Sequence, residues 1–172
     1  VAEQLVVERL RPILESPAVI KIGQNLKYDL IVLRSVGVNL RGIGFDTMVA
    51  DYLIDSGERT HNLDHLAKKY LGHETIRISE VIGSGKNQLR MDQAPVAAVG
   101  EYAAEDADVP LRLLPLLVDR LSADGLAELN ETIEVPLIEV LADLEYLGVC
   151  VDVLRLKELS VEYTERLHHI KV

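Results

Sequence analysis

The sequence predicts an α/β fold, mostly helical with a small sheet, on three observations. Two short β-branched runs stand early in the chain, each is followed at once by a segment with helical apolar spacing, and most of what remains is amphipathic helix punctuated by Gly and Pro. The run Ala18-Val19-Ile20-Lys21-Ile22 reads as the first strand and Gly23-Gln24-Asn25 as its turn into a helix, with Asn25 the N-cap. Leu26, Leu30 and Leu33, flanked by Ile31 and Val32, give a helix over 26–36 a core face, and Gly37 closes it. A second strand runs from Arg41 to Phe45, and Asp46 or Thr47 caps the helix that follows. There Met48, Val49, Tyr52 and Leu53 repeat at helical spacing, which assigns Tyr52 to the core.

Ser56-Gly57 breaks that helix, and Asn62 opens another, with Leu63, Leu66, Ala67, Tyr70 and Leu71 on one stripe and Gly72 at its end. From His73 to Gln93 the chain is polar and holds Gly83-Ser84-Gly85, which predicts a mobile loop; Lys86-Asn87-Gln88 within it is suited to a phosphate or a base edge. Pro95 fits the first turn of the next helix, which runs to about Leu114 and should bend at Pro110 and Pro115, where the ring blocks a backbone hydrogen bond. Ser122-Ala123-Asp124-Gly125 ends this unit. Beyond it Leu137, Val140, Leu141, Leu144 and Leu147 form a stripe that needs a partner, Gly148 stops the helix, and Asp152 caps a last one.

With 172 residues, 48% hydrophobic and 27% charged, the chain can bury a core, and no apolar run approaches the roughly 18 residues of a membrane span. The lone Cys150, inside Val149-Cys150-Val151, reads as a buried inert thiol, which fits a reducing cytoplasm. A net charge of −10 argues against a basic face that grips duplex DNA. It is compatible with clustered carboxylates that hold cations and with a single-stranded end bound by stacking. His61, His65 and His73 are too spread for a zinc site.

Chemistry concentrates in Tyr102-Ala103-Ala104-Glu105-Asp106. On a helix Tyr102 and Asp106 share a face, so a carboxylate able to hold a divalent ion lies beside a hydroxyl able to position water, an arrangement suited to phosphodiester hydrolysis. Asp29, in the first turn of its helix near the carboxyl end of a strand, is the second candidate acid.

Lys21-Ile22-Gly23-Gln24-Asn25-Leu26-Lys27-Tyr28-Asp29, followed by Glu101-Tyr102-Ala103-Ala104-Glu105-Asp106-Ala107-Asp108, resembles the second and third motifs of the proofreading 3′→5′ exonuclease domain of bacterial family A DNA polymerases. Gly44-Phe45-Asp46-Thr47-Met48, Asn62-Leu63-Asp64-His65-Leu66-Ala67 and Gly85-Lys86-Asn87-Gln88-Leu89 are similar to further family segments in the same order. Ile133 to Asp152 looks like the stretch that opens the polymerase domain. The resemblance implies a ribonuclease H-like 3′→5′ exonuclease fold, truncated at its N-terminus to a mostly helical piece with a sheet remnant. Residues 1–122 would be a partial exonuclease domain and 123–172 the start of the polymerase domain.

It further implies removal of mismatched 3′-terminal nucleotides in a reaction that uses two Mg²⁺ or Mn²⁺ ions. Asp106 would hold the ion on the nucleophile side, Asp29 would serve the other, and Tyr102 would orient the attacking water. Gln24, Asn25 and Tyr28 would hold the frayed single-stranded end, with Tyr28 stacked on a base. The expected partners are that DNA end and the rest of the same polypeptide. The family site also uses an Asp-x-Glu pair on an earlier strand; Glu3, Glu8 and Glu15 are the only acids before Asp29, and none forms such a pair. With Val1 as its first residue, the chain therefore reads as an internal piece carrying half of a metal site. Two other readings are a ribonuclease D-like exoribonuclease, which shares Tyr-x-x-x-Asp, and a degenerate exonuclease-like scaffold.

Overall fold

A computed structural model describes residues 3–171. The β-branched runs do build the sheet, but each strand begins later than its sequence suggests: β1 is Lys21–Gly23 and β2 is Ile43–Asp46, paired in parallel. Val19 gives its amide to the Ser16 carbonyl at 3.3 Å, so the first amide of the run that pairs across is that of Lys21, which reaches the Gly42 carbonyl at 2.7 Å. Lys21 pairs with Ile43 but Ile22 with Phe45, which leaves Gly44 as an extra residue in a bulge. A Cβ at Gly44 would stand 2.4 Å from Ile20 Cγ2, so any side chain there would require Ile20 to shift.

Helix α1 (Glu3–Leu14) precedes β1 and buries no residue among those described; Arg11 ties it down by donating to the Gly37 carbonyl at 2.6 Å. Helix α2 (Leu26–Ser35) joins the strands, burying Leu26 and Leu30 as their spacing predicts, and Gly37 at φ 74° follows its end. Asn25 departs from its expected role. It adopts a left-handed backbone (φ 57°, ψ 47°) and its side chain caps nothing; its backbone carbonyl accepts the Tyr28 amide at 2.9 Å, and a carboxylate from β2 takes the amides of Asn25 and Leu26.

Helix α3 (Thr47–Ile54) buries Thr47, Ala50 and Asp51, and Tyr52 is 54% exposed rather than in the core. The stripe is displaced because Asp51, polar yet fully buried, occupies a position that apolar spacing alone would not choose. Helix α4 (Leu63–Leu66), capped by Asn62, runs on as a π turn over Ala67–Leu71 and ends at Gly72. The segment from His73 to Gln93 is not a featureless loop: it contains helix α5 (Ile78–Ile82), and Val81 and Ile82 bury with Ala94 against Val99 and Tyr102.

Helix α6 (Val96–Ala123), with Pro95 just outside as its N-cap, continues through Pro110 and Pro115. Its stripe Val109, Leu113, Leu117 and Leu121 packs with Phe45, Ala50 and Leu66 as the main core. After Gly125 come α7 (Ala127–Leu129), a π turn over Asn130–Glu134, α8 (Val135–Leu147) and α9 (Val153–Lys171). The buried face of α8 is Val135, Ile138 and Ala142, and Ile138 and Ala142 join Leu30 and Leu40 in a second core. The expected stripe lies elsewhere: Leu137, Val140, Leu141, Leu144 and Leu147 are exposed, because the face of α8 that packs on Leu30 and Leu40 is the neighbouring one, through Ile138 and Ala142. Arg34 pairs with Asp143 and Lys27 with Glu145 along the same seam. Cys150 is exposed, in the link between α8 and α9, not buried. No described helix is long and apolar enough to cross a membrane.

Candidate active site

Asp46 organises the site from beneath. Placed at the end of β2 and 1% exposed, it accepts the amides of Asn25 (3.1 Å), Leu26 (2.7 Å), Met48 (2.9 Å) and Val49 (3.3 Å). One carboxylate thus caps α2 and α3 together and fixes the start of the helix that presents Asp29. Burial still raises the Asp46 carboxyl above its ordinary range despite those four donors.

Asp29 and the Tyr102–Asp106 turn of α6 line one open cleft of about 630 Å³, together with Gln24, Asn25, Met48, Asn62, Leu63 and Asp64. Asp29 is exposed at its mouth, yet the cleft walls remove enough water to raise its carboxyl pKa, and the negative charge of Asp46 adds to the effect. Asp106 is half-buried and also raised, first by burial and then by the charges of Asp64 and Glu105, with the Tyr102 hydroxyl acting in the opposite direction. Burial, followed by the adjacent Asp106 carboxylate, pushes the Tyr102 phenol up to about 12, so it stays a neutral hydroxyl at physiological pH.

Of the residues singled out in the sequence, Gln24, Asn25, Asp29, Tyr102 and Asp106 meet in this cleft. Tyr28 does not line it; it is 65% exposed on the outer side of α2. Sequence reasoning gave no site role to Asp64, whose charge reaches both Tyr102 and Asp106 and whose carboxylate accepts the Thr75 hydroxyl at 2.8 Å. Its signal was its place in the capped turn Asn62-Leu63-Asp64. The three histidines go to three carboxylates: His61 to Asp51 at 2.6 Å, His73 to Glu105 at 2.7 Å and His65 to Glu58 at 3.9 Å.

Among the described residues no three His, Cys, Asp or Glu side chains come together to hold a metal ion. The donors in the cleft are hard carboxylate oxygens whose ionised form is disfavoured by their surroundings, and a cation would relieve that penalty. Mg²⁺ retains several waters and commonly takes only one or two carboxylates, so Asp29 and Asp106 suit a hydrated hard cation.

A family model described as 3′-5′ exonuclease matches residues 1–122. DNA polymerase I of Pseudomonas aeruginosa is 45% identical over 174 residues, covering 97% of this chain and 19% of that protein. DNA polymerase I of Rhizobium leguminosarum is 43% identical over 157 residues, covering 91% of this chain and 15% of that protein. The chain thus spans a fifth or less of the length of these relatives. Among solved structures, the POL domain of Pol1 from M. smegmatis in complex with DNA primer-template and dNTP superposes with a TM-score of 0.76 at 26% identity, over 94% of this chain and 25% of that one. Brucella melitensis NrnC, at 23% identity over 86% of this chain and 66% of that one, shares the fold with a TM-score of 0.68.

Proposed function

Because the chain belongs to the 3′-5′ exonuclease family of bacterial DNA polymerase I and has its ribonuclease H-like fold, we propose that it is the proofreading segment of such a polymerase, removing mismatched 3′-terminal nucleotides from DNA. The observation that carries the reading is the convergence on one cleft of Asp29, Tyr102 and Asp106, from two helices more than sixty residues apart in sequence.

Asp29 and Asp106 would hold Mg²⁺ or Mn²⁺, which when bound acidifies water and offsets the charge of the phosphodiester. Tyr102, held neutral by its raised pKa, keeps its O–H to orient the attacking water. Gln24 and Asn25 at the cleft wall would hold the frayed strand, and Tyr28 on the outer side of α2 could contact a more distant base. A two-ion arrangement needs carboxylates beyond these two, so the chain alone would not turn over substrate. Residues 1–122 would form the exonuclease part and 123–172 the lead into a polymerase domain, which would supply most of the grip on duplex. The test is degradation of single-stranded DNA and RNA 3′ ends by the full-length protein in Mg²⁺ or Mn²⁺. Loss of DNA degradation by at least about a hundredfold on Asp106→Ala supports the proposal, whereas equal or better activity on RNA ends favours a ribonuclease instead.

A further inference from the structure

Behind the wall of the cleft lies a polar network that the reaction does not use. Asp51 is completely buried in α3, yet its carboxylate is fully engaged. Oδ2 stands 2.6 Å from His61 Nδ1, and Oδ1 accepts the Tyr70 hydroxyl at 2.6 Å and the Lys69 ammonium at 3.1 Å. Lys69 also approaches Asp55 at 3.7 Å, and the Tyr52 ring meets the His61 ring edge-on, with centroids 5.5 Å apart. Burial alone would raise the Asp51 carboxyl, but Tyr70, His61 and Lys69 outweigh it and hold the pKa below its ordinary value, so Asp51 remains an anion inside the fold.

The network has an exit towards the cleft. The His61 carbonyl accepts the Gln24 side-chain amide at 2.7 Å, and the Gln24 oxygen in turn accepts the Thr47 hydroxyl. His61 also immediately precedes Asn62 and Leu63, which line the same cleft as Asp106. The chain between α3 and α4 has no helix or strand of its own at His61, so the Asp51–His61 contact ties its side chain to α3 while the Gln24 amide holds its carbonyl.

We infer that Asp51 and His61 are positioning residues: a buried brace that sets the Gln24 amide and the Asn62–Leu63 wall against an entering strand end. The inference rests on the exonuclease reading above. Since the brace ends on the wall and touches neither Asp29 nor Asp106, its loss acts on capture of the strand more than on the hydrolytic step.

The experiment measures kcat and KM on single-stranded 3′ DNA ends, with melting temperature alongside, in the full-length protein and its Asp51→Asn, His61→Ala, His61→Asn and Asp106→Ala variants. His61→Ala and Asp51→Asn should raise KM about tenfold with kcat within about twofold, the scale of losing one well-placed hydrogen bond. His61→Asn, whose amide offers a donor near the position of Nδ1, should recover most of that loss. A KM unchanged in His61→Ala, or a His61→Asn no better than His61→Ala, overturns the brace. So does a fall in kcat that simply follows the melting temperature. If Asp51→Asn does not fold, the two His61 variants still decide the matter. Degradation that survives Asp106→Ala overturns the exonuclease reading itself; normal loss there with an unaltered KM in His61→Ala overturns the brace alone.

Discussion

Asp46 Oδ2 accepts the Leu26 amide at 2.7 Å across twenty residues of sequence, so the helix that carries Asp29 is capped from the neighbouring strand rather than by its own N-cap residue. The same carboxylate caps α3, which couples the two helix starts to a single side chain.

Asp46→Ala should therefore destabilise the fold by about 2–3 kcal/mol, more than the usual loss of one cap, since donors at two helix starts lose their acceptor together. Asp46→Asn should cost less, because one oxygen remains. Denaturant unfolding of the full-length protein and both variants checks this; an Ala variant within about 1 kcal/mol of wild type would contradict it.

Gly37 and Gly42 both have φ +74° but differ in what a Cβ would meet: nothing within 4 Å at Gly37, and the Val19 carbonyl at 2.6 Å at Gly42. Gly37→Ala should cost about 1 kcal/mol of backbone strain. Gly42→Ala should cost clearly more, about 2–4 kcal/mol, because backbone must move as well. Equal unfolding midpoints for the two variants would show that the close approach carries no energy.

Glu105 should make the attachment of the segment around Ile76 sensitive to acid. Burial alone would raise its carboxyl, but the Ile76 amide, at 2.6 Å, and the His73 ring outweigh burial and hold it below the ordinary 4.5. The folded state thus favours the ionised form. Its stabilisation is complete above the unfolded value and lost as pH falls through the lowered folded one. Followed by NMR from about pH 7 to about pH 3, the Ile76 amide shift should move with a midpoint below 4.5. In Glu105→Gln the titration should be absent.

Tyr102→Phe in the full-length protein should lower kcat on single-stranded 3′ ends by about tenfold or more and change KM little, since it removes a water-orienting hydroxyl and leaves the cleft walls intact. A variant that loses strand affinity instead would assign the phenol to binding.

Where local chemistry dominates, the sequence was a good guide: Asp46 and Asn62 cap their helices, Gly37 and Gly72 follow helix ends, and Tyr102 and Asp106 line the same cleft as Asp29. Failures arose where a distant partner changed the local preference. Asn25 sits in a left-handed backbone while Asp46 holds the Leu26 amide beside it, and Asp51 displaced Tyr52 from the core because His61, Lys69 and Tyr70 satisfy its charge. On α8 two apolar faces competed, and periodicity could not tell which one meets α2. The brace was equally hidden: Asp51 and His61 are ten residues apart with no motif joining them.

The docking of α8 has a consequence for anyone who trims the gene. The exonuclease family match draws its edge at residue 122, but packing does not stop there: Leu30 and Leu40 are covered by Ile138 and Ala142. A truncation after Ala123 would strip the far side of the helix that bears Asp29 and leave Lys27 and Arg34 without Glu145 and Asp143. The smallest piece that retains this second core extends to the end of α8, at Leu147.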